Sequence, residues 1–160
     1  MVATTTLRLA EAPSTAPTNE GSIFFIGNAT VLLRVAGFTI LTDPTFIHKH
    51  EQTWLGGGLH TTRLTDPAME LADLPPLDLV LLSHFHGDHF DQVAERDLDR
   101  ALPIVTTPQS ANDLEKRGFT NCIPLDVWEL LNVEKGSAQL RITAPRRATV
   151  HQWSIWSSPT

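Results

Sequence analysis

Apolar positions in this chain fall into short runs separated by turn residues, the pattern of strands more than of long helices. Ser22–Ile26 reads as one short strand, and Thr30–Val35 and Phe38–Thr42 as two more joined through a tight Ala36-Gly37 turn, which predicts a hairpin. Beyond the breaker Pro75-Pro76-Leu77-Asp78, the run Leu79-Val80-Leu81-Leu82 is continuously apolar, as in a strand buried on both faces. If that strand persists through His86, alternation sets His84 and His86 on one face about 7 Å apart. Leu102–Thr106, Val127–Val133 and Ala138–Thr143 read as later strands.

Helix signals are fewer. Asp91 can cap a helix through about Arg100, and Thr107, with Pro108 at the first helical position and Gly118 past the end, frames a second. The stretch from Pro44 to Pro67 holds His48, His50, His60 and Gly56-Gly57-Gly58 without periodicity and reads as a long loop, a place where function often resides. The order is strands first, then βαβα, then strands, an α/β (α+β) class.

One segment stands apart. Ser83-His84-Phe85-His86-Gly87-Asp88-His89 directly follows the buried run, and with 7 His in 160 residues the spacing H-x-H-x-D-H would arise by chance about once in a thousand such chains. Neutral imidazoles and a carboxylate are metal ligands, and a polar cluster past the carboxyl end of a central strand sits where α/β sheets place their sites. The ordinary alternative is a solvated histidine-rich turn. Gly87 permits the sharp turn that brings Asp88 and His89 round. Asp43, between Ile40-Leu41-Thr42 and Pro44, reads as a turn residue, since Asp-Pro initiates turns easily. His48, His50 and His60 read as exposed loop side chains, with accessory ligands as the alternative.

His84-x-His86-x-Asp88-His89, with the strand and Ser83 before it, resembles the signature of the metallo-β-lactamase superfamily of metal-dependent hydrolases. Gly27-Asn28-Ala29-Thr30-Val31-Leu32-Leu33 and Ile40-Leu41-Thr42-Asp43-Pro44 are similar to the amino-terminal strands of its ascorbate-phosphate lactonase-like and N-acyl-phosphatidylethanolamine phospholipase D-like branch. The resemblance implies the amino-terminal portion of a four-layered αββα sandwich. It also implies Zn²⁺, one or two ions, with Mn or Fe as alternatives. His84 and His86 would hold the first metal and Asp88 and His89 the second, with Asp88 also the catalytic group. Asp43 would brace the metal loop from behind the ligands. The implied reaction is attack of metal-bound hydroxide on an ester, lactone or phosphodiester of a small-molecule substrate.

The family pattern then breaks. Of three expected downstream ligands only His151 offers a candidate, and its register is off; Asp126 is the last aspartate. These departures predict an incomplete domain over 21–145 followed by an atypical tail over 146–160, while residues 1–20, rich in Thr, Ala and Pro, read as a mobile leader. A truncated sandwich would lack its second β-layer and expose a sheet face to self-association. A catalytically inactive metal-binding fragment and a mononuclear iron oxygenase, for which His86-x-Asp88 could begin a facial triad, are the alternative functions.

Composition narrows the surroundings. At 160 residues, 41% hydrophobic and 19% charged, the chain suits a single soluble domain. A net charge of −6 with no basic run beyond Arg146-Arg147 disfavours nucleic acid and anionic membranes. One cysteine, Cys122, excludes an internal disulfide and reads as a structural thiol. With neither a secretory nor a spanning segment in the sequence, the expected compartment is the cytoplasm.

Overall fold

A computed structural model describes residues 3–10, 21–144 and 154–157. Twelve strands, two α-helices and one 3-10 helix (Leu71–Asp73) are described: β1 (Thr4–Leu9), β2 (Ser22–Gly27), β3 (Thr30–Val35), β4 (Phe38–Thr42), β5 (Gln52–Gly56), β6 (Leu59–Thr62), β7 (Leu79–Leu81), α1 (Gln92–Asp97), β8 (Ile104–Thr106), α2 (Pro108–Glu115), β9 (Cys122–Pro124), β10 (Leu130–Lys135), β11 (Ala138–Thr143) and β12 (Ser154–Ser157).

A six-stranded sheet of order β2-β3-β4-β7-β8-β9 forms the centre. Its first three strands are antiparallel, and β4, β7, β8 and β9 run parallel to one another. Alternation along the central strands sends side chains into two cores. Phe38, Ile40, Leu79, Leu81 and Val105 meet Leu131, Val133, Leu140 and Ile142 of the second sheet, while Leu41, Val80, Leu82 and Ile104 meet Phe46, Phe90, Ala94, Leu114 and Phe119 on the helical side. The chain is therefore an α/β sandwich in which one helical layer and two sheets stack. Complete burial of Leu79, Val80 and Leu81 on both sides explains why the run carries no polar residue, each such side chain contributing about 1.5–3 kcal/mol by leaving water.

The second sheet, β1-β10-β11-β12, corrects the expectation of a missing β-layer. The strands read at Val127–Val133 and Ala138–Thr143 build it, the first shifted to Leu130–Lys135, and it recruits Thr4–Leu9 in parallel against β10. Part of the segment read as a leader is thus a strand, because Leu7 and Leu9 join the inter-sheet core; residues 11–20 lie outside the described residues. In the tail, Ser154–Ser157 pairs with β11, so the sandwich reaches beyond 21–145 at both ends. His151 lies outside the described residues. On the outward positions of β1, β10 and β11, Arg8 lies 3.0 Å from Glu134 and Arg141 donates to Asn132 at 3.3 Å. The edge strand β2 carries exposed apolar side chains, with Ile23 78% and Phe25 61% exposed.

The expected long loop contains the β5–β6 hairpin. Its turn is the glycine triplet, whose φ values of 93°, 59° and 82° lie where side chains are disfavoured. Both helix caps follow the sequence reading. Asp91 accepts from the Val93 and Ala94 amides, although α1 stops at Asp97, and Thr107 accepts from Ser110. Among the described residues no helix is long and apolar enough to cross a membrane.

Candidate metal centre

The site is built on the parallel pairing of β4 with β7. Register Thr42↔Leu81 places the residues just past both strands side by side, so Asp43 and Ser83 meet although forty positions separate them. The Ser83 amide donates to Asp43 Oδ1 at 2.7 Å, and Asp43 Oδ2 lies 3.3 Å from His89 Nδ1. Asp43 has a φ of 34°, a left-handed conformation for a non-glycine residue. Its amide donates to Leu81 O at 3.0 Å, and its carbonyl accepts the Thr30 hydroxyl at 2.7 Å, which together hold the strained backbone in place. The structure thus seats Asp43 behind the histidines and not in a free turn.

Strand β7 ends at Leu81, so the extended alternation through His86 does not occur. The segment turns at once: the His86 amide donates to His84 O at 3.2 Å, and the amides of His89 and Phe90 donate to His86 O at 2.9 and 2.7 Å. This curl brings the His84 and His89 rings to 4.1 Å between centroids, with the His86 ring 4.7 Å from that of His84. One ligand atom each from His84, Asp88 and His89 can be chosen so that all lie within 4.8 Å of one another. His86 is outside that group, and His48, His50 and His60 are outside it as well. His48 instead pairs with Asp66 at 3.3 Å and Glu70 at 3.2 Å, on the surface.

The loop is clamped from three directions. Asp91, 1% exposed, caps α1 and also accepts from the amides of Phe46 and Ile47, tying the start of the helix to the segment after β4. The Phe85 amide donates to Ser110 Oγ of α2 at 3.0 Å. Gly87 donates to Trp54 O of β5 at 3.0 Å, and the Asn28 side chain donates to Asp88 O. The sequence marks His84, Asp88 and His89 as candidate ligands but gives no role to Ser83 Oγ, which lies 3.0 Å from His84 Nδ1 and 3.2 Å from His89 Nδ1. It also did not single out Asn28 or Trp54 as supports, because no local pattern marks contacts across 60 or 33 positions.

A cation fits this donor set. Asp88 Oδ1 is buried without a hydrogen-bond partner, an expensive arrangement for a carboxylate oxygen unless something positive belongs beside it. Two imidazoles and a carboxylate match the ligand preferences of Zn²⁺, Mn²⁺ and Fe²⁺. Burial, reinforced by the charges of His89 and His86, depresses His84 to about 4, so that its ring is neutral and able to donate a lone pair. Burial would depress His89 too, but the hydrogen bond from its ring to Asp43 and the charges of Asp43 and Asp88 more than offset it, and its pKa is raised.

These opposite shifts set a pH dependence. A divalent cation must displace the His89 proton, so apparent affinity is expected to fall up to about tenfold per pH unit below the raised His89 value. His84 adds nothing until pH nears 4. Calorimetric metal titrations between pH 5 and 8 should give a slope near one proton per ion; a flat profile would contradict the assignment of His89 as a ligand.

Residues 39–156 match the family model described as a beta-lactamase superfamily domain. The N-acyl-phosphatidylethanolamine-hydrolyzing phospholipase D 1 of Caenorhabditis elegans is 34% identical over 89 residues, covering 54% of this chain and 24% of that protein. A mitochondrial enzyme of the same description from Saccharomyces cerevisiae is 29% identical over 143 residues, 82% of this chain and 29% of its own length. Among solved structures, an isothiocyanate hydrolase from Delia radicum gut bacteria superposes with a TM-score of 0.62 at 26% identity, covering 78% of this chain and 46% of that one. The chain spans about a quarter of the length of the phospholipase D relatives and under half of the solved hydrolase.

Proposed function

Because the chain belongs to the metallo-β-lactamase superfamily, we propose that it carries part of a zinc-dependent hydrolytic site acting on an ester, lactone or phosphodiester. The observation that carries this reading is the orphaned Oδ1 of Asp88, a residue grouped with two histidines whose pKa values are shifted in opposite directions. The phosphodiester member of the trio gains support from the phospholipase D activity named for the two relatives.

His84, Asp88 and His89 would hold the ion, with His86 beside His84 in reserve. A bound zinc supplies Lewis acidity that brings the pKa of water near neutrality. The chain's own groups do the rest. Asp43 fixes the tilt of the His89 ring and selects the nitrogen it presents. Ser83 Oγ bridges the two rings from behind. Asp88, whose Oδ2 lies 3.7 Å from His89 Nε2, lines the adjoining cleft and can accept a proton from water or return one to a leaving group. Self-association belongs to the same proposal, moved from a sheet face to the edge strand β2 with its exposed Ile23 and Phe25.

Elemental analysis of the 160-residue chain is expected to find about one zinc per chain, since the described residues gather one group of three ligands. Hydrolysis of bis-p-nitrophenyl phosphate and p-nitrophenyl acetate, with and without zinc, tests the rest. A metal-dependent rate above that of His84→Ala supports the hydrolase. Stoichiometric zinc with no such rate supports the inactive metal-binding alternative, and no zinc retention sinks both.

A further inference from the structure

Beside the ligand loop lies a cleft of about 480 Å³ whose lining includes Asp88, Gly87, Asn28, Thr53, Thr65 and Arg63. Arg63 is only 9% exposed. Its Nε donates to Thr65 O at 3.1 Å and its Nη1 to Thr45 Oγ1 at 3.2 Å, while Nη2 is buried with no partner. No carboxylate pairs with this guanidinium among the described residues. An arginine stays charged at any accessible pH, so the wall of the cleft holds a buried, uncompensated cation. A side chain on Gly27 would fall 2.5 Å from Nη2, so the guanidinium can take this position only because residue 27 is a glycine.

We propose that Arg63 and the hydroxyl-lined cleft bind a phosphoryl oxyanion carried by the substrate, next to the metal ligands but not on them. The inference rests on the hydrolase reading only in assigning the anion to a substrate. The guanidinium fork suits the paired oxygens of a phosphate. The Thr53 and Thr65 hydroxyls, which make no hydrogen bond to other described residues, supply donors for further oxygens, more than a planar carboxylate would use. Asp88 is the one acidic side chain on the lining, and its Oδ2 lies 3.7 Å from His89 Nε2. An anion held here would place the scissile group of the same molecule against Asp88.

The test is a titration of the metal-free chain with inorganic phosphate and with phenyl phosphate, following the Arg63 Nε–H resonance, assigned by its loss in Arg63→Lys. Both anions are expected to shift that resonance saturably, phenyl phosphate at least as tightly as phosphate. Arg63→Gln should weaken binding about 10- to 100-fold, the worth of charge-assisted hydrogen bonds, and Arg63→Lys less. If Arg63→Gln fails to fold, the wild-type resonance decides. Binding that leaves it unmoved, or no binding, overturns the site, and phosphate binding without phenyl phosphate overturns its assignment to a substrate. Because no metal is present, the outcome separates from the hydrolase reading. A bound anion with no metal-dependent turnover would leave the subsite standing and remove the hydrolase, and the converse would do the opposite.

Discussion

Asp88→Ala is expected to weaken zinc binding at least about 100-fold while leaving the metal-free chain as stable as before, or more stable by up to about 1 kcal/mol. The first effect follows from removing the anionic ligand of a three-donor group. The second follows from what Asp88 does without a metal. Its Oδ1 is buried and unsatisfied, and the deletion relieves that penalty. The loss on the other side is small, an ion pair to His89 at 3.7 Å from a carboxylate 38% exposed. Its backbone carbonyl still accepts from Asn28. A residue placed for packing gives the opposite pattern, losing stability with metal affinity untouched. Competition against a chelator of known affinity and urea melts of the metal-free chain measure the two halves; a large loss of stability would mean that Asp88 is structural.

What the chain order revealed depended on how local each determinant is. The candidate ligands His84, Asp88 and His89 lie within six residues, and imidazole and carboxylate have few other reasons to gather, so the cluster that the fold brings together was visible in the sequence. The caps Asp91 and Thr107 are equally local, since a capping side chain bonds amides two or three positions on. The β3–β4 hairpin announced itself through its turn. Illegible features are those in which partners lie far apart. Thr4–Leu9 finds β10 across 126 positions, and only alternate leucines hint that the segment has a buried face. Asp43 could be read as an ordinary turn because its value comes from β7, its parallel neighbour, which no local window contains. Arg63 sits in an aperiodic stretch, and nothing in Thr62-Arg63-Leu64 distinguishes a buried guanidinium from a surface one. The curl of the ligand loop was misjudged as an extension of β7 because a continuous apolar run says where a strand is buried and not where it stops.

Gly87 shows the same limit, and it yields the largest expected structural effect. The sequence suggests conformational freedom as its role, yet Gly87 is absent from the residues with positive φ. Its reason is space. A β-carbon there would overlap Thr53 Oγ1 and Trp54 O and come within 3.1 Å of Trp54 N, and two of these three are backbone atoms of β5 that cannot rotate aside. Gly87→Ala must therefore push the ligand loop off β5 and break the Gly87 amide bond to Trp54 O. We expect a loss of about 3 kcal/mol, or a fall in Tm of about 6–12 °C for a domain of this size. Metal affinity should drop about 10- to 100-fold as well, because Asp88 and His89 follow directly on the displaced residue. Gly57→Ala supplies the contrast. Its β-carbon would meet nothing within 4 Å, but its φ of 59° disfavours a side chain, so it should cost only about 1 kcal/mol and leave metal binding alone. Thermal melts and metal titrations on the two variants give the comparison, and equal behaviour would show that the loop does not rest on β5.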